Sequence, residues 1–241
     1  FDLIGGLTGI GVYALERLPR PSARRILEAI LDRLEDVSER TPSGTTWLTP
    51  PEAMAEYWRK MRPEGAYDLG VAHGVPGIIG LLAGLQIAGI AEARVGLLLE
   101  SAVSWLLCQR LPEGSPSRYP GMLVRGRGPT PSRLAWCYGD PGIATILWLA
   151  AEAMDRDDWR REALDTARAA AIRPVETAGI RDACICHGMS GLAHLFNRLH
   201  QASGDELLGR AALTWFERAL DARTPGRGLG GYLFERSSPG S

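Results

Sequence analysis

Two kinds of apolar run alternate along the chain. The first kind is nearly apolar all round: IGVYALERL after Gly9, IIGLLAGLQIAGI after Gly77, IATILWLAAEAM after Gly142 and LAHLFNRLHQA after Gly191. The second kind is amphipathic. From Ser22 to Ser38, Ile26, Leu27, Ile30, Leu31 and Leu34 recur at spacings of three and four, the period of a helix with one buried face. Glu92–Arg110, Asp157–Ile172 and Asp205–Ala222 read the same way, with Asp157 and Asp205 as N-cap candidates. Leu3–Leu18 reads as a helix from the first residues. No alternating pattern of β type competes with these.

Each all-apolar run is introduced by Gly-x-x-Gly. The four copies are Gly6–Gly9, Gly74–Gly77, Gly139–Gly142 and Gly188–Gly191, with a weaker echo at Gly228–Gly231. A helix apolar on all sides must be buried on all sides. The simplest arrangement sets the apolar helices in an inner layer and the amphipathic ones in an outer layer. The pattern therefore predicts an all-α fold of repeated helical hairpins, an α/α toroid or α-solenoid. Glycine lets a chain turn sharply and lets a helix start approach its neighbour closely. Inner-helix N-termini gathered at one end would surround a single cavity with N–H groups.

Two segments fall outside the repeat. Thr41–Ala66 is rich in Pro and aromatics, and Leu111–Arg133 in Pro, Gly and Arg; long connections of this kind are often functional. The 241 residues fit one large domain, and 45% hydrophobic with 23% charged residues is ordinary for a globular protein. A net charge of −1 argues against a nucleic-acid partner. No run is long and apolar enough for a transmembrane segment. The chain opens without Met or a signal peptide, with helical pattern already under way, so a fragment of a longer protein is expected.

Chemistry enters through the residues just ahead of the glycines. Four cysteines are present, too few and too badly spaced for a disulfide scaffold. Cys137 stands two residues before Gly139, and Cys186-His187 directly precede Gly188. Equivalent positions of adjacent hairpins should meet at one end of the toroid. A Cys2His set suits zinc and leaves a fourth position open, the mark of a catalytic site. A free thiol, with a pKa of about 8.5, is mostly protonated at pH 7, and binding to zinc strips that proton. Cys184 could close the set as a fourth, structural ligand. His73 occupies the equivalent position before Gly74 and could serve as a ligand or as an acid/base. Taken singly, His73 reads as a core histidine, Asp2 as a helix cap, Arg133 as a surface charge and Cys108 as inert buried packing.

Together, DLIGGLTGIGVY (Asp2–Tyr13), TTWLTPPE (Thr45–Glu52), GVAHGVPGI (Gly70–Ile78), AWCYGDPGIA (Ala135–Ala144) and CHGMSGLAHL (Cys186–Leu195) resemble the lanthionine synthetase C-like family, specifically its stand-alone bacterial lanthipeptide cyclases. The resemblance implies a single α/α-toroid domain over 1–241, lacking N-terminal hairpins and the last C-terminal repeat. It implies one Zn2+ held by Cys137, Cys186 and His187. It also implies His73 as the proton donor, Asp2 as an acidic residue near the metal, and Arg133 and Tyr138 as active-site residues. The reaction implied is Michael-type addition of a peptide Cys thiol to dehydroalanine or dehydrobutyrine, giving a (methyl)lanthionine thioether. The implied partner is a dehydrated precursor peptide with its leader, together with the dehydratase and transporter of the same pathway. The implied location is cytoplasmic, with peripheral membrane association through those partners. Competing readings are small-thiol (glutathione) addition, a non-catalytic zinc-containing peptide-binding scaffold, and another zinc toroid such as a prenyltransferase subunit, which the Cys-His adjacency disfavours.

Overall fold

The computed structural model describes residues 1–234. In chain order its helices are α1 (Leu7–Leu15), α2 (Pro21–Asp36), α3 (Glu56–Met61), α4 (Val75–Ile87), α5 (Glu92–Leu107), α6 (Asp140–Met154), α7 (Asp157–Ala171), α8 (Val175–Ala178), α9 (Met189–Ser203) and α10 (Glu206–Asp221). Four hairpins, α1/α2, α4/α5, α6/α7 and α9/α10, follow one another, and their first helices touch in the order α1, α4, α6, α9. This is the two-layered α/α array that the alternation predicts. The inner helix α4 buries residues around its whole circumference, from Val75 through Ile78, Ile79, Leu81, Leu82 and Leu85. The outer helix α2 buries only the stripe Ala23, Leu27, Ile30, Leu31 and Leu34. One core runs from α1 to α7 and a second fills the space around α9 and α10.

The repeated glycines have a steric explanation. The loop before each inner helix curls back over the helix start. A Cβ on Gly77 would lie 2.5 Å from the carbonyl oxygen of Val71, and one on Gly142 2.3 Å from that of Trp136. The second glycine of each copy thus faces the carbonyl of the residue six positions earlier. Main-chain bonds join consecutive loops: Leu3 N–H donates to Ala72 O at 3.1 Å, and Ala72 N–H to Cys137 O at 3.4 Å.

The curl corrects the first helix. Residues 3–6 turn and bond to the neighbouring loop, so α1 begins only at Leu7. Asp157 is the first residue of α7, whose N-cap is Arg156. Asp205 does cap α10, accepting from the N–H groups of Leu207 and Leu208. The echo at Gly228–Gly231 opens no helix among the described residues; Leu229 and Tyr232 pair across a tight turn. Cys108, expected in the core, is exposed at the C-terminal end of α5.

Short strands occur where none is expected. β1 (Glu39–Thr41) pairs antiparallel with β2 (Gly44–Thr46), and β3 (Tyr67–Asp68) with β4 (Met122–Leu123). They order the two long connections. Trp47, fully buried, donates its indole N–H to Leu34 O at 2.8 Å and pins the first connection to α2. In the second, Arg118 and Tyr119 donate side-chain bonds to the buried Glu162 of α7 at 2.8 and 2.9 Å. Their backbone N–H groups meet Asp140 at the start of α6. No described helix is long and apolar enough to cross a membrane.

Candidate metal centre

The three curled loops before α4, α6 and α9, and the segment before α1, carry all the candidate site residues. His73 directly precedes Gly74, the N-cap of α4. Cys137 and Tyr138 precede Gly139, the N-cap of α6, whose φ of +147° only glycine adopts readily. Cys186 and His187 precede Gly188, the N-cap of α9.

The structure brings Cys137, Cys186 and His187 together. One Sγ from each cysteine and one ring nitrogen of His187 all lie within 4.8 Å of one another. Cys137 is buried and the other two are half-buried. The Nε2 of His187 is buried without a hydrogen-bond partner. Burial, reinforced by the neighbouring Cys137 and Cys184, pushes the Cys186 thiol well up, while Arg133 opposes the shift. Arg133 reaches the cluster itself, donating from Nη2 to Cys137 Sγ at 3.5 Å. Two cysteine sulfurs, one buried and one half-buried, and an imidazole nitrogen within 4.8 Å of both form a donor set that fits a soft or borderline metal ion such as zinc.

A second group of contacts continues from Tyr138. Its hydroxyl donates to Asp68 Oδ2 at 2.7 Å, and Gly70 N–H donates to Asp68 Oδ1 at 2.7 Å. Burial, with Asp68 and Cys137 adding to it, raises the Tyr138 phenol far above the ordinary range. Burial also raises Asp68, against the pull of Tyr138, Gly70 and His73. The Tyr138 and His73 rings lie 6.0 Å apart between centroids. His73 Nδ1 pairs with Asp2 Oδ2. Burial works against the Asp2 charge, but Gly5 N–H and His73 outweigh it and hold the carboxyl below its usual range. Asp2 therefore serves this pair and a local turn; the N-cap of α1 is Gly6.

Asp68 and Asp182 are not singled out by the sequence reading, yet the repeat contains the signal. Asp68, Arg133 and Asp182 each stand six residues before the first glycine of their copy. Asp182 is only 5% exposed, and a carboxylate oxygen of Asp182, the Cys184 sulfur and a His187 ring nitrogen also lie within 4.8 Å of one another.

The family model described as lanthionine synthetase C-like protein matches residues 1–229. The nisin biosynthesis protein NisC of Lactococcus lactis subsp. lactis is 27% identical over 211 residues, covering 83% of this chain and 50% of the relative. The chain thus spans about half the length of this curated relative. A solved nisin cyclase superposes with a TM-score of 0.80 at 23% identity, over 95% of this chain and 59% of that one. A D-mannose isomerase superposes at 0.66 with 11% identity, over 92% of this chain and 59% of the other. Two differently named enzymes share the architecture, so the choice of chemistry falls to the site residues.

Proposed function

The chain belongs to the lanthionine synthetase C-like family, and from that membership we propose that it serves as a lanthipeptide cyclase. Its substrate is a dehydrated precursor peptide bearing its leader. A peptide Cys thiol adds to the β-carbon of dehydroalanine or dehydrobutyrine. A C–S bond forms, the C=C π bond breaks, and the thiol's proton is balanced by one delivered to the α-carbon. The product is a lanthionine or methyllanthionine ring.

The observation that carries this reading is the convergence of Cys137, from the loop before α6, with Cys186 and His187, from the loop before α9. These three residues would hold a single zinc. The chemistry it supplies when bound is that of a Lewis acid with an open position, which favours a substrate thiol in its thiolate form. Arg133, beside Cys137, offers positive charge for the enolate oxygen that develops as the thiol adds. Asp2 holds His73 through Nδ1 and so leaves Nε2 as the nitrogen for proton delivery to the α-carbon. The Tyr138 hydroxyl donates its hydrogen bond to Asp68, which favours Arg133 as the enolate's partner and makes the Tyr138 ring a wall beside His73.

The test follows free-thiol loss in a dehydrated, leader-bearing precursor peptide. Zinc-loaded protein should close rings, and Cys186→Ala should not. Ring closure that survives Cys186→Ala would sink the proposal.

A further inference from the structure

Two aspartates at equivalent places in the repeat have unequal partners. Asp68 Oδ1 accepts Gly70 N–H, and Asp182 Oδ1 accepts Cys184 N–H at 3.0 Å. The other oxygen of Asp68 takes the hydroxyl of Tyr138. The other oxygen of Asp182 is buried and makes no hydrogen bond, with the Cys184 sulfur within 4.8 Å of one of the carboxylate oxygens. Its neighbour His187 carries the matching vacancy: Nε2 is likewise buried and unpartnered. A carboxylate oxygen of Asp182 and a ring nitrogen of His187 lie within 4.8 Å of each other. An unpaired carboxylate oxygen in so enclosed a place is costly, and so is an unpaired imidazole nitrogen. A single N–H to oxygen bond would satisfy both. Asp182 also grips the backbone that leads to the ring: Cys184, tied to its Oδ1, accepts His187 N–H on its sulfur at 3.4 Å.

We propose that Asp182 is a positioning residue of the metal centre, whose free oxygen takes the Nε2–H of His187, leaves Nδ1 as the nitrogen for the ion, and so fixes the tautomer and orientation of the ring. The inference rests on reading Cys137, Cys186 and His187 as the metal ligands. A carboxylate in that place makes the ligand nitrogen a stronger donor, because it stabilises the partial positive charge that metal binding leaves on the ring. Cys184 then acts as a backbone anchor and stays outside the ligand set.

Asp182→Asn tests this with little change of shape. The amide oxygen can keep Cys184 N–H, while the amide NH2 now faces a ring N–H it cannot accept. Competition between the full chain and a chromophoric chelator should show zinc bound about 10–100-fold more weakly by the variant. The melting temperature of the zinc-free protein should be nearly unchanged. A wild type that binds zinc and a variant that binds it equally well would overturn the role of Asp182 while leaving the metal centre standing. A wild type that takes up no zinc would overturn the metal centre and Asp182's role with it. Should the variant fail to fold, nitrogen-15 NMR of the zinc-loaded wild type decides. One His187 ring N–H protected from solvent exchange is the expected result, and rapid exchange of that proton overturns the proposal.

Discussion

Tyr138 donates its hydroxyl proton to Asp68 across 70 positions of sequence, at 2.7 Å. The bond joins the loop before α4 to the loop before α6 and sets the ring of Tyr138 beside His73. Asp68→Ala leaves the half-enclosed phenol without its acceptor and should cost about 1–3 kcal/mol in chemical denaturation. Tyr138→Phe made on top of it should cost much less than it does alone, with a coupling of about 0.5–3 kcal/mol. Strictly additive losses would mean that the bond contributes nothing to stability.

Removal of zinc is expected to loosen the end of the array at which Cys137 and Cys186 meet. A ligand at a thousandfold excess over its Kd stabilises by about 4 kcal/mol. A strong chelator should therefore lower the melting temperature of the wild type, and added zinc should restore it. Cys137→Ala should melt lower and ignore the chelator. A wild type whose melting is indifferent to both reagents would contradict the proposed centre.

The proton delivery proposed for His73 is separable from the proposed zinc binding. His73→Ala should slow ring closure by about 10²–10⁴-fold while retaining the wild-type zinc content. Asp2→Asn should slow it less, since the imidazole remains, an amide oxygen can still accept at Nδ1, and only the carboxylate's charge is lost. Unchanged rates in both variants would move the acid elsewhere.

The steric account of the repeat makes a paired comparison. Gly142→Ala forces a methyl to within 2.3 Å of a backbone carbonyl and should destabilise by about 1–3 kcal/mol or more. Gly128→Ala meets no atom within 4 Å and should stay within about 0.5 kcal/mol of wild type. Equal effects at the two sites would remove the explanation.

A pH dependence follows from the cap of α10. Burial opposes the charge on Asp205, but Arg168 and the N–H groups of Leu208 and Leu207 hold the folded carboxyl below its ordinary value. A lowered carboxyl contributes stability above its unfolded pKa and loses it as the pH falls through the folded one. Asp205→Ala should cost about 1 kcal/mol near neutrality. The gap from wild type should shrink as the solution is acidified, and a gap independent of pH would leave no role for the charge.

What could be read without coordinates divides by mechanism. The inner helices are legible because residues such as Ile78, Ile79, Leu82 and Leu85 leave no face for water, whatever the tertiary detail. The convergence of Cys137 with Cys186 and His187 is legible because copies of one repeat put equivalent residues at equivalent ends. The strands β1–β4 are not, since each is only two or three residues long and is specified by anchors such as Trp47 rather than by alternation. Asp157 misleads because an acidic residue suits the first turn as well as the cap. Asp68 and Asp182 were within reach, at the register that Arg133 already occupies. Their spacing gives no hint, however, of which carboxylate oxygen finds a partner.

The links from Leu3 to Ala72 and from Ala72 to Cys137 are made by main-chain atoms alone. That separates architecture from chemistry at the rim of the array. A side chain exchanged at position 2, 73 or 138 gives up a side-chain contact such as that of Tyr138 with Asp68 but leaves these main-chain links in place, so new reactivity can be sampled while the loops stay joined. Such a rim is an evolvable platform, and it offers a physical reason why a cyclase and a sugar isomerase can share one arrangement of helices.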